Sequence, residues 1–230
     1  IPDRLLEGYG PSGAALVRLA EEGSSLIVTV DCGAMAHDAL AEAHAAGVDV
    51  IVVDHHKCAA QNPIAAALVN PNRLDESDEG AAHGHLAAVG VAFLLAVALV
   101  RTLRGRGHFE RRPEPDLMGL LDLVALGTVA DVAALHGLNR AFVAQGLKVM
   151  ARRANPGMAA LIDASRLTRS RHGVGLVEVD RRRDLVELDQ IGLVLLLDGV
   201  DGVEHGSQGD GGCADGGRTT TAVAVHGRAT

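Results

Sequence analysis

The chain has 230 residues, 48% of them apolar, which excludes a protein disordered by composition and allows one or two packed domains. Its net charge of −8 excludes attraction of nucleic acid by the mean field, yet leaves room for a cation-holding carboxylate cluster and for a local basic patch such as "RTLRGRGHFERR" (101–112). Three cysteines without a C-x-x-C pair argue against a disulfide framework and for a reducing compartment, the cytoplasm.

In chain order, "SGAALVRLAEEG" (12–23) has helical spacing, with Ser12 as N-cap and Gly23 as its end. "SLIVTV" (25–30) is a continuous β-branched run, as in a strand covered on both faces. A turn and helix follow over "DCGAMAHDALAEAHAAG", stopped by Gly47. "VDVIVV" (48–53) predicts the next strand, and "IAAALVN" (64–70) a third. The run 86–100 is short for a membrane span, so 86–104 is read as a buried helix, with no signal peptide and no membrane partner. Further helices are expected from Asp116 to Ala130, over 139–154 with Asn139 as cap, and over 156–165 with Pro156 in the first turn. After about residue 170 the texture changes. "IGLVLLLDGV" could form a strand, and "GSQGDGGCADGG" reads as flexible linker.

Alternating helices and strands predict an α/β fold with a parallel sheet flanked by helices. Functional groups in such sheets collect beyond the C-terminal strand ends. Asp31 stands at one such end, and Asp54, His55 and His56 stand at the next. By itself Asp31 suits a turn or helix cap as well as a metal ligand. Two adjacent imidazoles after a buried strand point to opposite sides of an extended backbone, so one can hold metal while the other faces substrate. Carboxylates suit Mg²⁺ and Mn²⁺, and Mn²⁺ also accepts imidazole. His83 and His85 read as loop residues, His37 and His44 as a solvated helix face, and Cys32 as a small buried residue.

The stretches "IPDRLLEGYGPS", "TVDCG", "VIVVDHH", "ALVNPNR", "GHLAAVGVAFLL", "DLVALGTVADVAALHGLNR" and "GLKVMARR" follow one another over about residues 1 to 167. In order and spacing they resemble the DHH phosphoesterase superfamily, and within it the RecJ-like single-strand-specific exonucleases. The resemblance implies a DHH-type domain over 1–167 and hydrolysis of single-stranded DNA from the 5′ end with two Mn²⁺ or Mg²⁺ ions. It implies that Asp31 bridges the metals, that His55 and Asp131 ligate one of them, and that His56 meets the scissile phosphate. Asp54 would orient a histidine, and Arg4 and Tyr9 would lie near substrate phosphate. A single-strand-binding protein or a helicase would be the protein partner. Other members of the superfamily, manganese pyrophosphatases and nucleases of short oligonucleotides, share the Asp31, His55, His56, Asp131 pattern.

Two departures accompany the resemblance. The superfamily's first motif, of D-x-D-G type, would precede Ile1, which makes the matching domain N-terminally truncated and leaves one metal site with little more than Asp31. Residues 168–230 match nothing in the family and read as a poorly defined tail, from an altered reading frame or of non-native origin. The expectation is a chain that binds metal weakly and degrades DNA slowly or not at all, with a non-catalytic fragment as the contrasting possibility.

Overall fold

The computed structural model describes residues 8–165 and 221–225. The fold divides into two units, Ile1–Glu114 together with Thr219–Thr230, and Pro115–Arg218.

In the first unit, α1 (Gly13–Glu21) begins where the Ser12 hydroxyl accepts a hydrogen bond from the amide of Ala15. Strand β1 (Leu26–Val30), helix α2 (His37–Ala45), strand β2 (Asp49–Val53) and strand β3 (Ala67–Val69) follow. Both strand pairs, β1 with β2 and β2 with β3, are parallel. Val30 aligns with Val53, so residues 31 and 54 leave the sheet side by side. This is the α/β arrangement that the alternating pattern predicts.

Strand β4 (Thr221–Val225) pairs antiparallel with β1, giving the order β3-β2-β1-β4. The sequence expectation placed no element there, although Thr221, Val223 and Val225 alternate with alanine as a strand would. An antiparallel edge strand on an otherwise parallel sheet is a common arrangement. The strand expected in "IGLVLLLDGV" and the linker expected in "GSQGDGGCADGG" lie outside the described residues.

Leu16 of α1 and Leu40 of α2 close over Ile27, Val50 and Val52, forming a dry cluster between helices and sheet. Burying each such side chain stabilises the fold by about 1.5–3 kcal/mol. The expected cover on both faces of β1 is uneven. Ile27 and Thr29 are fully buried, while Leu26, Val28 and Val30, one step out of phase, are half-buried. The two-residue period of a strand sends them to the opposite face, where cover is partial.

Helix α3 (Asp78–Ala81) is a single turn, capped by the hydroxyl of Ser77. Helix α4 (Ala88–Gly105) is buried at Ala88, Gly90, Val91 and Val100. Val97 and Leu99 are exposed, so it is not the fully buried helix that its composition suggests. Among the described residues it is the one helix long and apolar enough to cross a membrane by length and composition.

In the second unit, α5 (Leu121–Ala130) packs on α6 (Gly137–Met150) through Ala125, Val129 and Val143. Gly146 permits this approach, because a β-carbon there would overlap the carbonyl oxygen of Leu121. Helix α5 starts later than expected. Asp116 Oδ1 accepts from the Gly119 amide and stabilises a single 3₁₀ turn, Met118–Leu120, before the α-helix begins. Asn139 is not a cap. It lies within α6, fully buried, and its amide donates to the Ala134 carbonyl at 3.0 Å. Helix α7 (Pro156–Ala164) starts as predicted, with Asn155 accepting from Gly157 and Met158 and with Pro156 in the first turn.

Candidate metal centre

The centre grows from the parallel ladder. Past the last residues of β1 and β2, the amide of Asp31 still donates to the Val53 carbonyl at 2.9 Å. The amide of Asp54 likewise donates to Val69 at 3.0 Å. Both aspartates are thereby held at one sheet edge by backbone bonds that any sequence could make. Their side chains then differ. Asp31 turns out of the ladder with φ +64°, a left-handed conformation that Asp tolerates better than most residues. Asp54 turns inward and is 1% exposed.

A carboxylate buried this deeply needs donors. Asp54 Oδ2 accepts from the Ala34 amide at 2.9 Å. Its Oδ1 accepts from the amides of His55 at 2.8 Å and His56 at 3.2 Å, and from His56 Nδ1 at 2.6 Å. Asp54 therefore fixes the backbone of both histidines and the ring of one.

The two rings are aimed by their Nδ1 atoms. His55 Nδ1 lies 3.0 Å from the Leu86 carbonyl, which can only accept, so this nitrogen carries the proton. The lone pair is left on Nε2, which stands 3.2 Å from Asp31 Oδ1. His56, with Nδ1 on the Asp54 carboxylate, turns its Nε2 side away from that carboxylate. The rings meet edge to face, with centroids 4.6 Å apart.

Asp31, His55 and His56 each offer one ligand atom, all within 4.8 Å of one another. Asp31 Oδ1 is buried and accepts no hydrogen bond among the described residues. The imidazole nitrogen and the carboxylate oxygen stand 3.2 Å apart, a pair of donor atoms that a cation could share. An ion with bonds of about 2.1 Å places adjacent ligands about 3 Å apart, so the 3.2 Å between Asp31 Oδ1 and His55 Nε2 suits a Mg²⁺- or Mn²⁺-sized ion.

Beside this cluster is a cavity of about 310 Å³ lined by Tyr9, Asp31, Met35 and His56 among others. Its floor requires Gly33, whose φ is +112° and whose added β-carbon would lie 3.0 Å from Thr29 Oγ1 and 3.1 Å from Val52 Cγ1. Cys32 also lines it. Burial, and then the charges of Asp54 and Asp31, push its thiol up to about 12, so it stays neutral.

The structure thus gathers Asp31, Asp54, His55, His56 and Tyr9 in the first unit. Asp131 belongs to the second, where it caps α5 with its amide on the Gly127 carbonyl, just before Val132 at φ +54°. Arg4 lies outside the described residues. The sequence carried no signal for the Leu86 carbonyl, because a backbone acceptor has no residue signature. Asn70 and Asn72 were visible in "ALVNPNR" without a role; the structure places both amides on the histidine backbone.

The sequence profile of the DHH family, N-terminal domain, matches residues 1–128. The single-stranded-DNA-specific exonuclease RecJ of Dickeya dadantii is 45% identical over 168 residues, covering 72% of this chain and 29% of the relative. The RecJ of Escherichia coli is 39% identical over 205 residues, or 86% of this chain and 35% of the relative. A crystal structure of exonuclease RecJ bound to manganese is similar with a TM-score of 0.55 at 37% identity, over 72% of this chain and 39% of the other. The crystal structure of RecJ in complex with Mn²⁺ from Thermus thermophilus has a TM-score of 0.51 at 37% identity, over 65% of this chain and 21% of the other. The chain spans about a third or less of the length of the curated relatives it matches.

Proposed function

The chain belongs to the DHH family, and on that premise we propose that it carries the cation-holding part of a metal-dependent exonuclease that hydrolyses single-stranded DNA from the 5′ end. The observation that carries this reading is the convergence of Asp31, His55 and His56 beside an open cavity, in a chain 45% identical to a relative named for that activity. Mn²⁺ is the favoured ion, since the two solved relatives hold manganese and the donor set mixes carboxylate with imidazole.

A divalent ion supplies, when bound, an electrophile for a phosphoryl oxygen and a nucleophilic water at neutral pH. The side chains do the rest. Asp31 and His55 would hold the ion from adjacent strand ends. His56, held by Asp54 and lining the cavity, would face the scissile phosphate. Tyr9, 58% exposed at the cavity rim, would border the substrate strand. For Asp131 the support is its place in the G-T-V-A-D motif, and for Arg4 the I-P-D-R motif alone. A single-strand-binding protein or helicase as partner rests on the family resemblance. Free Cys32 and Cys58 suit the cytoplasm, where such an enzyme would meet DNA.

Titration calorimetry of the 230-residue chain with Mn²⁺ is the direct test. Binding that disappears in Asp31→Ala and in His55→Ala is expected; Mn²⁺ binding unchanged in both variants overturns the assignment. Incubation with long single-stranded DNA, dinucleotides and pyrophosphate separates the substrate classes. Turnover of pyrophosphate or dinucleotides in preference to long DNA would favour another branch of the superfamily.

A further inference from the structure

Beneath the two histidines lies a pair of asparagines that the catalytic reading does not use. Both come from the loop after β3. Asn72 Nδ2 donates to the His55 carbonyl at 2.6 Å and to the Gly84 carbonyl at 2.9 Å, while its Oδ1 accepts from Lys57 Nζ at 2.9 Å. Two carbonyls on one side and an ammonium on the other leave one orientation for this amide. Asn70 is buried, donates to the His56 carbonyl at 2.8 Å, and accepts from the backbone N–H of Asn72 at 2.8 Å.

The partners of Asn72 share a property. One is the backbone of His55. The other, Gly84, stands two residues before Leu86, whose carbonyl holds His55 Nδ1–H. One side chain therefore grips both ends of the link that sets the His55 ring: the chain carrying the imidazole and the loop that takes its proton. The approach is close, because a β-carbon on Gly84 would lie 2.7 Å from Asn72 Oδ1.

We propose that Asn72 is a positioning residue for His55, fixing the Nδ1–H tautomer and aiming the Nε2 lone pair at the site that Asp31 shares. This rests on the cation reading above for its purpose, but not for its geometry. Without Asn72, the 84–86 loop loses its tie to residue 55. The ring can then carry its proton on either nitrogen, and the lone pair is no longer reserved for metal. Partners of this outer kind change metal affinity by about 10–100-fold. His56 is the internal control, because its ring is set by Asp54 and not by Asn72.

The test is long-range ¹⁵N–¹H correlation NMR on the metal-free 230-residue chain, at about pH 8.5, roughly two units above the ordinary imidazole value. It is paired with Mn²⁺ titration calorimetry and a thermal melt. Wild type should show His55 protonated at Nδ1. Asn72→Ala and Asn72→Asp should shift His55 toward a mixture of tautomers, leave His56 unchanged, and weaken Mn²⁺ binding by about 10–100-fold. Gly84→Ala, which crowds Asn72 without removing it, should act in the same direction, and Asn62→Ala, whose amide donates to Asp75 and not to the histidine segment, should leave the His55 tautomer and Mn²⁺ affinity unchanged. The proposal is overturned if folded Asn72 variants keep His55 wholly at Nδ1–H with an Mn²⁺ affinity near that of wild type. It is equally overturned if all three variants lose their fold, which would make Asn72 a folding residue. A wild-type chain that takes up no Mn²⁺ defeats the cation reading alone, since the tautomer comparison still decides the role of Asn72.

Discussion

The amide of Ala34 donates to Oδ2 of Asp54 at 2.9 Å, tying the loop after β1 to the loop after β2. The other oxygen of the same carboxylate takes three donors from His55 and His56. Asp54→Ala would strand these four donors next to a buried void, and each unsatisfied group costs about 1–3 kcal/mol. We expect a loss of at least about 3 kcal/mol on urea denaturation, with Asp54→Asn recovering part of it through its remaining acceptor. A loss below that of an ordinary surface substitution would show that the carboxylate does not organise the loops.

Asp31 poses the opposite case, a residue whose backbone is strained where its side chain is needed. At φ +64° glycine is at ease and alanine is not. Asp31→Gly should therefore be about 1 kcal/mol more stable than Asp31→Ala, while both lose Mn²⁺ binding. Parallel thermal melts and calorimetry check the two halves separately.

In the second unit, Gly146→Ala would drive a methyl group into the Leu121 carbonyl across the α5–α6 contact. A helix-favouring substitution should then destabilise by about 1–3 kcal/mol, because overlap with rigid backbone outweighs the gain of about 1 kcal/mol in helix propensity. Chemical denaturation of wild type and variant gives the sign.

Cys32 yields a pH prediction. Its thiol has an ordinary value of 9.0 and is pushed up to about 12 in the folded chain, first by burial and then by Asp54 and Asp31. Between these values the unfolded chain gives up a proton that the folded chain keeps. The neutral thiol's contribution is thus intact below about pH 9 and is lost as pH climbs toward 12. Cys32→Ala should flatten the alkaline fall in melting temperature. At about pH 8, alkylation of native Cys32, followed by peptide mass spectrometry, should run roughly a thousandfold slower than that of a free thiol.

Local pattern was enough to place most elements. Ser12 was identifiable as a cap, and Pro156 as a first-turn residue, because each has one common use at a helix start. Asn139 is also a short polar side chain but has a different role, since its partner Ala134 lies in the connection between α5 and α6. Strand β4 escaped notice because five alternating residues are a weak signal until another strand edge is there to receive them.

From the sequence alone came the chemistry: the α/β order, the D-H-H string at a strand end, and the expectation of a metal-holding phosphoesterase. The first two depend on residue type and short-range period, and the last on a family resemblance carried by motifs in order, all of which a linear chain displays in full. Only the tertiary structure decided how deeply Asp54 is buried, which partner holds Nδ1 of each histidine, and that Asn72 grips both sides of His55. Those outcomes depend on strand register and on partners such as Leu86, 31 residues from His55, and Ala34, 20 residues from Asp54, which meet only once the sheet has formed.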